Sequence, residues 1–259
     1  MVSMPPPLLL LHGFTHTGAS WDGVIAALRE RYRALAPDIR GHGSAGELAP
    51  VTLGAVLADL TSLVASGPQL TVCGYSMGGR IALHLAFALA TARTEEEEEE
   101  EEEEPSRCQR LVLIGAGPGI ADPGERAARR TSDERLAEEL EGMTIEQFAA
   151  RWARTPVLAD QPADVSRAAH QDRLRNTPAG LARALRGLGT GALPSLWDRL
   201  AELDVPVALV VGERDRKFRE TAERMAARLP DAELVVVAGA GHAVHLEAPD
   251  RVAAAIEGR

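Results

Sequence analysis

Three short stretches of this 259-residue chain carry residue types that could act together as a nucleophile or base, its proton acceptor and an orienting acid. The first is Gly74-Tyr75-Ser76-Met77-Gly78-Gly79. It follows a short apolar run (Leu70-Thr71-Val72-Cys73) and opens an amphipathic stretch. A serine between two such glycines, at a strand-to-helix turn, would present its Oγ at a helix N-terminus, where the backbone dipoles favour a developing anion. The glycines are required because a side chain at either position would clash in so tight a turn.

A serine hydroxyl needs a base. His242 lies in Gly239-Ala240-Gly241-His242, directly after the last apolar run, Leu234–Val237. The other histidines are His12, His16, His42, His84, His170 and His245. His84 falls inside a helical stretch, and His245 reads as a packing or local hydrogen-bonding residue. The orienting acid is assigned to Asp215, at the end of Val207-Ala208-Leu209-Val210-Val211-Gly212-Glu213-Arg214-Asp215, with Glu213 as the alternative. The order Ser, Asp, His is that of α/β-hydrolases rather than of other serine-triad folds. The second requirement is a pair of backbone N–H groups facing developing negative charge. Met77, after the serine, supplies one, and Phe14 in His12-Gly13-Phe14 supplies the other. Asp38 and the glycines of Asp38-Ile39-Arg40-Gly41-His42-Gly43 read as a structural turn.

The elements that must hold these loops alternate in type. Leu8–Leu11, Arg33–Ala36, Leu70–Cys73, Leu111–Ile114, Val207–Val211 and Leu234–Val237 read as strands. Trp21–Arg29, Leu53–Val64, Met77–Ala90, Glu220–Leu229 and Asp250–Glu257 read as helices. This alternation predicts an α/β-hydrolase fold, with a mostly parallel central sheet flanked by helices. From Ala121 to Leu203 helical patterns continue without a strand (Glu125–Leu140, Ile145–Trp152, Pro162–Asn176, Ala179–Leu188). Residues 1–120 and 204–259 are therefore expected to form the core, and 121–203 a helical cap over the sheet edge where such folds bind ligands.

Arg80 lies four residues beyond Ser76, on the same face of the new helix. Simple ester hydrolysis gains nothing from a cation there, whereas a carboxylate-bearing substrate would explain it.

Composition narrows the partners. Apolar residues at 45 % suffice for a core, and aromatics at 3 % mean that aliphatic side chains fill it. The net charge of −10 is local: taking the unbroken Glu95–Glu104 run from the 38 acidic residues leaves 28 against 28 basic ones. No basic stripe for nucleic acid remains. Ten adjacent like charges repel each other, so that run is expected to form a solvated, mobile surface loop. Cys73 and Cys108 have no disulfide or metal spacing, which fits a reduced, cytoplasmic setting. The N-terminal segment lacks the basic and long apolar parts of a signal peptide, and no run reaches membrane-spanning length.

With these residues in place the chain resembles the 2-succinyl-6-hydroxy-2,4-cyclohexadiene-1-carboxylate synthases of menaquinone biosynthesis, the MenH branch of the fold. The resemblance rests on Leu11-His12-Gly13-Phe14, Gly74 to Arg80, Gly119-Ile120-Ala121-Asp122-Pro123 and Gly189-Thr190-Gly191 with Pro194-Ser195-Leu196-Trp197. It also rests on Gly212 to Phe218 and Ala240 to Glu247. It covers nearly the whole chain apart from the glutamate run and the N-terminus.

The resemblance implies substrate-binding roles for Tyr75, Arg80, Arg129 and Trp152, and for Arg173 or Arg175. Ala153 stands where some relatives carry a further aromatic. The resemblance also implies elimination of pyruvate from 2-succinyl-5-enolpyruvyl-6-hydroxy-3-cyclohexene-1-carboxylate, with Ser76 as base, a small-molecule polycarboxylate as substrate, no nucleic acid or membrane as partner, and no cofactor or metal. The competing expectation is a carboxylesterase or thioesterase acting through a Ser76 acyl-enzyme.

Overall fold

The computed structural model describes residues 5–64, 69–96, 107–158 and 160–258, with backbone only for 91–96. Its centre is a six-stranded sheet: β1 (Pro7–Leu11), β2 (Arg33–Leu35), β3 (Leu70–Tyr75), β4 (Cys108–Ile114), β5 (Val207–Gly212) and β6 (Ala232–Val237). The spatial order is β2-β1-β3-β4-β5-β6, and every pairing is parallel. The pleat sends successive side chains to opposite faces. Leu9, Leu11, Leu111, Leu113, Leu209 and Val211 join one apolar cluster, while Leu8, Leu10, Val112, Ile114, Ala208 and Val210 join another. Both faces are covered, which is why the central strands are apolar throughout.

Helices α2 (Leu53–Val64), α3 (Met77–Glu96) and α8 (Arg216–Ala226) close the first face. Helix α2 does so with Val56, Leu60 and Val64, spaced four apart on one stripe. Helices α1 (Asp22–Leu28), α9 (Val244–Glu247) and α10 (Pro249–Ile256) close the second.

Between β4 and β5 the described residues contain four α-helices and no strand: α4 (Pro123–Glu141), α5 (Ile145–Trp152), α6 (Ala163–Arg173) and α7 (Pro178–Leu188). Their starts are written in the sequence. Asp122 accepts from Glu125 N at 2.7 Å with Pro123 at the first helical position, and Thr177 caps α7 ahead of Pro178. Ala137, Leu140, Phe148, Leu181, Ala182 and Leu185 form a third apolar cluster, and Phe14 of the β1 loop packs against it.

The parallel sheet flanked by helices is as expected, with every pairing among the described residues parallel. Two helices differ in their bounds from the sequence reading. Helix α8 begins at Arg216 instead of Glu220, because Asp215 caps it through Phe218 N, a start that the polar first turn conceals. Helix α3 continues through Glu96, so Glu95 and Glu96 are helical rather than loop. The loop expected for the rest of the glutamate run falls at 97–104, outside the described residues. Cys73 and Cys108 are free and buried within strands, where burial raises both thiols, that of Cys108 to about 12. Among the described residues no helix is long and apolar enough to cross a membrane.

Candidate active site

Ser76 sits at the corner between β3 and α3 with φ +51°, a left-handed conformation that costs energy for any residue with a Cβ. The surroundings hold it there. Its N–H donates to Ile114 O at 2.9 Å, and the chain on either side is pressed against other backbone. A Cβ on Gly78 would lie 2.1 Å from Leu11 O, and one on Gly74 would lie 2.4 Å from Gly78 O. The sequence expectation of two clash-forbidding glycines thus has its atomic cause.

His242 follows β6, and its Nε2 is 3.3 Å from Ser76 Oγ. Its Nδ1 is 2.6 Å from Asp215 Oδ2. A carboxylate only accepts, so Nδ1 carries the proton and Nε2 offers its lone pair to the serine hydroxyl. Both His242 and Asp215 are buried. Glu213, the alternative acid, is exposed and instead accepts from Gly239 N at 2.8 Å, tying down the loop that precedes His242. Gly115 makes room for the imidazole: a Cβ there would approach the His242 ring to 2.9 Å.

Ser76 and His242 line a cavity of about 360 Å³, within the size range of small-molecule sites. Phe14, Tyr75, Met77, Arg80, Arg129 and Trp152 line the same cavity. As the first residue of α3, Met77 has a main-chain N–H with no partner inside the helix. Phe14 meets Trp152 edge-on at 5.2 Å and Phe148 at 6.4 Å, joining the β1 loop to helix α5. Leu185 and Leu188 of α7 add apolar wall.

The charged lining is cationic. Arg80 Nε is buried without a partner, and burial, reinforced by the neighbouring Arg129, pushes its guanidinium down to about 10. It remains charged at neutral pH. Arg129 donates from Nε to Asp133 Oδ1 at 2.8 Å. Lys217, at the start of α8, also lines the cavity. No carboxylate does, among the described residues.

Arg173 stands apart from this set. It does not line the cavity but is fully buried behind it, with Nε 3.4 Å from Thr15 Oγ1 and both terminal nitrogens unpartnered. Burial lowers its guanidinium from the ordinary value. Arg175, the alternative, is exposed, lies 3.8 Å from Asp172 and points away from the cavity. Of the two, Arg173 is the arginine beside the site.

The remaining histidines sort by their surroundings. His12 donates to Gly13 O and accepts from Ile39 N at 2.9 Å, which clamps the two loops after β1 and β2. Burial keeps it neutral, with its pKa lowered to about 4. His245 packs 4.1 Å from the Tyr75 ring with neither ring nitrogen partnered, so it packs rather than hydrogen-bonds. Asp38 accepts from Gly18 N, Ser44 N and Ser44 Oγ, which makes it the structural turn residue its motif suggested.

The sequence reading did not place His16 or Lys217 in the cavity. Lys217 carries a signal, since it stands two residues after Asp215 at the same sheet edge. His16 carries none, because its position depends on a contact with Asp172 far along the chain. Among the described residues no cluster of three or more His, Cys, Asp or Glu could hold a metal ion.

Four matches to known proteins set this chain in context. The alpha/beta hydrolase family model matches residues 8–255. A 2-succinyl-6-hydroxy-2,4-cyclohexadiene-1-carboxylate synthase of Klebsiella pneumoniae is 31 % identical over 254 residues, spanning 97 % of this chain and 92 % of that protein. The structure of MenH from S. aureus superposes with a TM-score of 0.87 at 28 % identity, covering 99 % of this chain and 94 % of the other. A thermophilic esterase from Thermogutta terrifontis, with malate bound, superposes with a TM-score of 0.76 at 28 % identity, covering 98 % and 88 %.

Proposed function

This chain belongs to the alpha/beta hydrolase family, and from that premise we propose that it is a carbon–oxygen lyase of menaquinone biosynthesis. Its substrate in this reading is 2-succinyl-5-enolpyruvyl-6-hydroxy-3-cyclohexene-1-carboxylate and its products are 2-succinyl-6-hydroxy-2,4-cyclohexadiene-1-carboxylate and pyruvate. The observation that carries the reading is that Arg80 and Arg129 both line the cavity that holds Ser76, with no carboxylate on the lining among the described residues. Partly desolvated guanidinium groups call for anions, and arginine binds carboxylates bidentately. A substrate with several carboxylates meets that demand. The names of the relatives point the same way.

The triad then acts as a base. His242 Nε2 takes the Ser76 proton while Asp215 stabilises the imidazolium. The Ser76 oxygen removes a carbon-bound proton from the ring. The electron pair shifts through the ring double bond, and the ring C–O bond to the enolpyruvyl group breaks. The leaving enolate takes up a proton and departs as pyruvate. The N–H groups of Met77 and Phe14 hold charge that develops on conjugated oxygen. Helices α4–α7, as a cap formed by residues 121–203, close the cavity and contribute Arg129 and Trp152; Arg173, buried behind the lining, adds positive charge to that wall without touching the substrate. The chemistry calls on no cofactor, and the setting is the cytoplasm.

A second reading has an observation of its own. The Ser76–His242 contact is also what an acyl-transfer nucleophile requires, and the Thermogutta esterase shares the fold at the same identity as MenH. Incubating purified protein with the enolpyruvyl substrate and following pyruvate decides between them. Pyruvate release well above the spontaneous rate is expected. Its absence, with rapid turnover of p-nitrophenyl esters, would replace the lyase by an esterase.

A further inference from the structure

A second His–Asp pair borders the cavity. His16, in the loop after β1, is 2 % exposed and lines the cavity beside Tyr75. Its Nδ1 is 3.0 Å from Asp172 Oδ2, on helix α6. The Asp172 carboxylate also accepts from Thr17 N at 3.0 Å and from Thr17 Oγ1. Burial works against ionisation of Asp172, but the bonds from His16 and Thr17 outweigh it and hold its carboxyl below the usual range.

These contacts fix a tautomer. An ionised carboxylate only accepts, so the His16 proton sits on Nδ1 and Nε2 is a bare lone pair. That nitrogen has no protein partner among the described residues and retains accessible surface. Burial lowers the pKa of His16, and the nearby Arg173 and His242 also disfavour a second proton, against the pull of Asp172. The ring is therefore a neutral acceptor. The charged side chains of the lining, Arg80, Arg129 and Lys217, are donors only, and no carboxylate joins them among the described residues. The other imidazole acceptor, His242 Nε2, is engaged with Ser76.

We propose that His16 is a specificity-determining residue whose Nε2, oriented by Asp172, accepts a hydrogen bond from a hydroxyl group on the substrate. This rests on the lyase reading above, in which the ring bears one hydroxyl, at position 6, among several carboxylates. The arginines take the carboxylates, and His16 takes the remaining donor. A polar site built for a hydroxyl discriminates against an analogue that lacks it, because the site is then left unpaired.

The test compares kcat/KM for pyruvate release from the hydroxylated substrate and from its 6-deoxy analogue, in wild type, His16→Phe and His16→Gln. Wild type is expected to prefer the hydroxylated compound by about 10- to 100-fold, the range of one buried hydrogen bond. His16→Phe should erase that preference, with kcat/KM falling by about 10-fold or more further on the hydroxylated compound than on the deoxy analogue. His16→Gln, whose amide can donate to Asp172 and turn an oxygen to the cavity, should retain part of it. Equal losses on both compounds would mean that His16 only pins α6 to the β1 loop, and would overturn the proposal, as would an unchanged preference in His16→Phe. If wild type releases no pyruvate from either compound, the lyase reading falls and this proposal falls with it. Wild-type turnover without any preference overturns the role of His16 alone.

Discussion

Asp215 is bonded in two directions at once: Oδ2 accepts from His242 Nδ1 at 2.6 Å, and Oδ1 accepts from Phe218 N at 3.4 Å at the start of α8. The residue that orients the imidazole is thereby held by a helix cap and cannot drift without fraying that helix. Asn caps a helix about as well as Asp. Asp215→Asn is therefore expected to keep the urea midpoint close to wild type. Its amide can donate to Nδ1 and favour the wrong tautomer, so kcat should fall about 10⁴-fold, the scale known for that change in a serine triad. A large loss of stability with activity retained would reject the assignment.

Arg80 sets stability against function. Its Nε is buried without a partner, so replacing the side chain by an apolar one of similar length removes a desolvated charge. Arg80→Met is expected to match or exceed the wild-type Tm. The same change should lower kcat/KM for pyruvate release by about 100-fold, the cost of a lost charge-assisted contact, and leave p-nitrophenyl ester hydrolysis within about 3-fold. Equal losses on both substrates would contradict a carboxylate-binding role.

Gly78 lies where α3 touches the end of β1. A methyl group there would sit 2.1 Å from Leu11 O and 2.5 Å from His12 O, neither of which can move without breaking strand or loop. Gly78→Ala should cost more than about 3 kcal/mol, read as a fall in the urea midpoint or in soluble yield. Gly54, with nothing within 4 Å of its Cβ position, provides the control: Gly54→Ala on α2 should be neutral or stabilising.

Buried neutral histidines give the protein an acid limit. His12 and His42 have pKa values lowered by burial from 6.5 to about 4 and about 3. In the unfolded chain they take up protons near pH 6.5, so the unfolded state binds more protons than the native state below that value. Their stabilising contribution is complete above pH 6.5 and is lost as pH falls toward 4 and 3. At pH 5 the loss amounts to roughly 2 kcal/mol for each imidazole. Urea midpoints measured from pH 7.5 to pH 4.5 should fall steadily. His12→Gln should flatten that slope. A pH-independent midpoint would show that these rings are not held neutral.

Much of this was legible in the chain itself, for a physical reason. A strand buried on both faces must be apolar at every position, and a parallel connection must carry a helix, so Leu8–Leu11, Leu111–Ile114 and Val207–Val211 announced a covered parallel sheet. The strand-to-helix turn at Ser76 was legible because its glycines answer to steric exclusion by neighbouring backbone. His242 and Asp215 were legible because both follow strands that end on one edge of the sheet. The start of α8 was not, since Asp215 both caps that helix and bonds His242, and the first turn is polar.

What the sequence could not decide is which side chains face one another across long separations. Arg173 and Arg175 are two residues apart, and only the packing of α6 against the β1 loop places the first behind Tyr75 and the second in solvent. His16 and Asp172 lie 156 positions apart, and no local pattern links them. The chain alone determined the sheet, the turn and the three loops that carry Ser76, Asp215 and His242, because those follow from periodicity, sterics and strand order. The tertiary structure decided which cations meet in the cavity and which nitrogen of His16 is left bare, because burial and pairing are properties of contacts and not of positions.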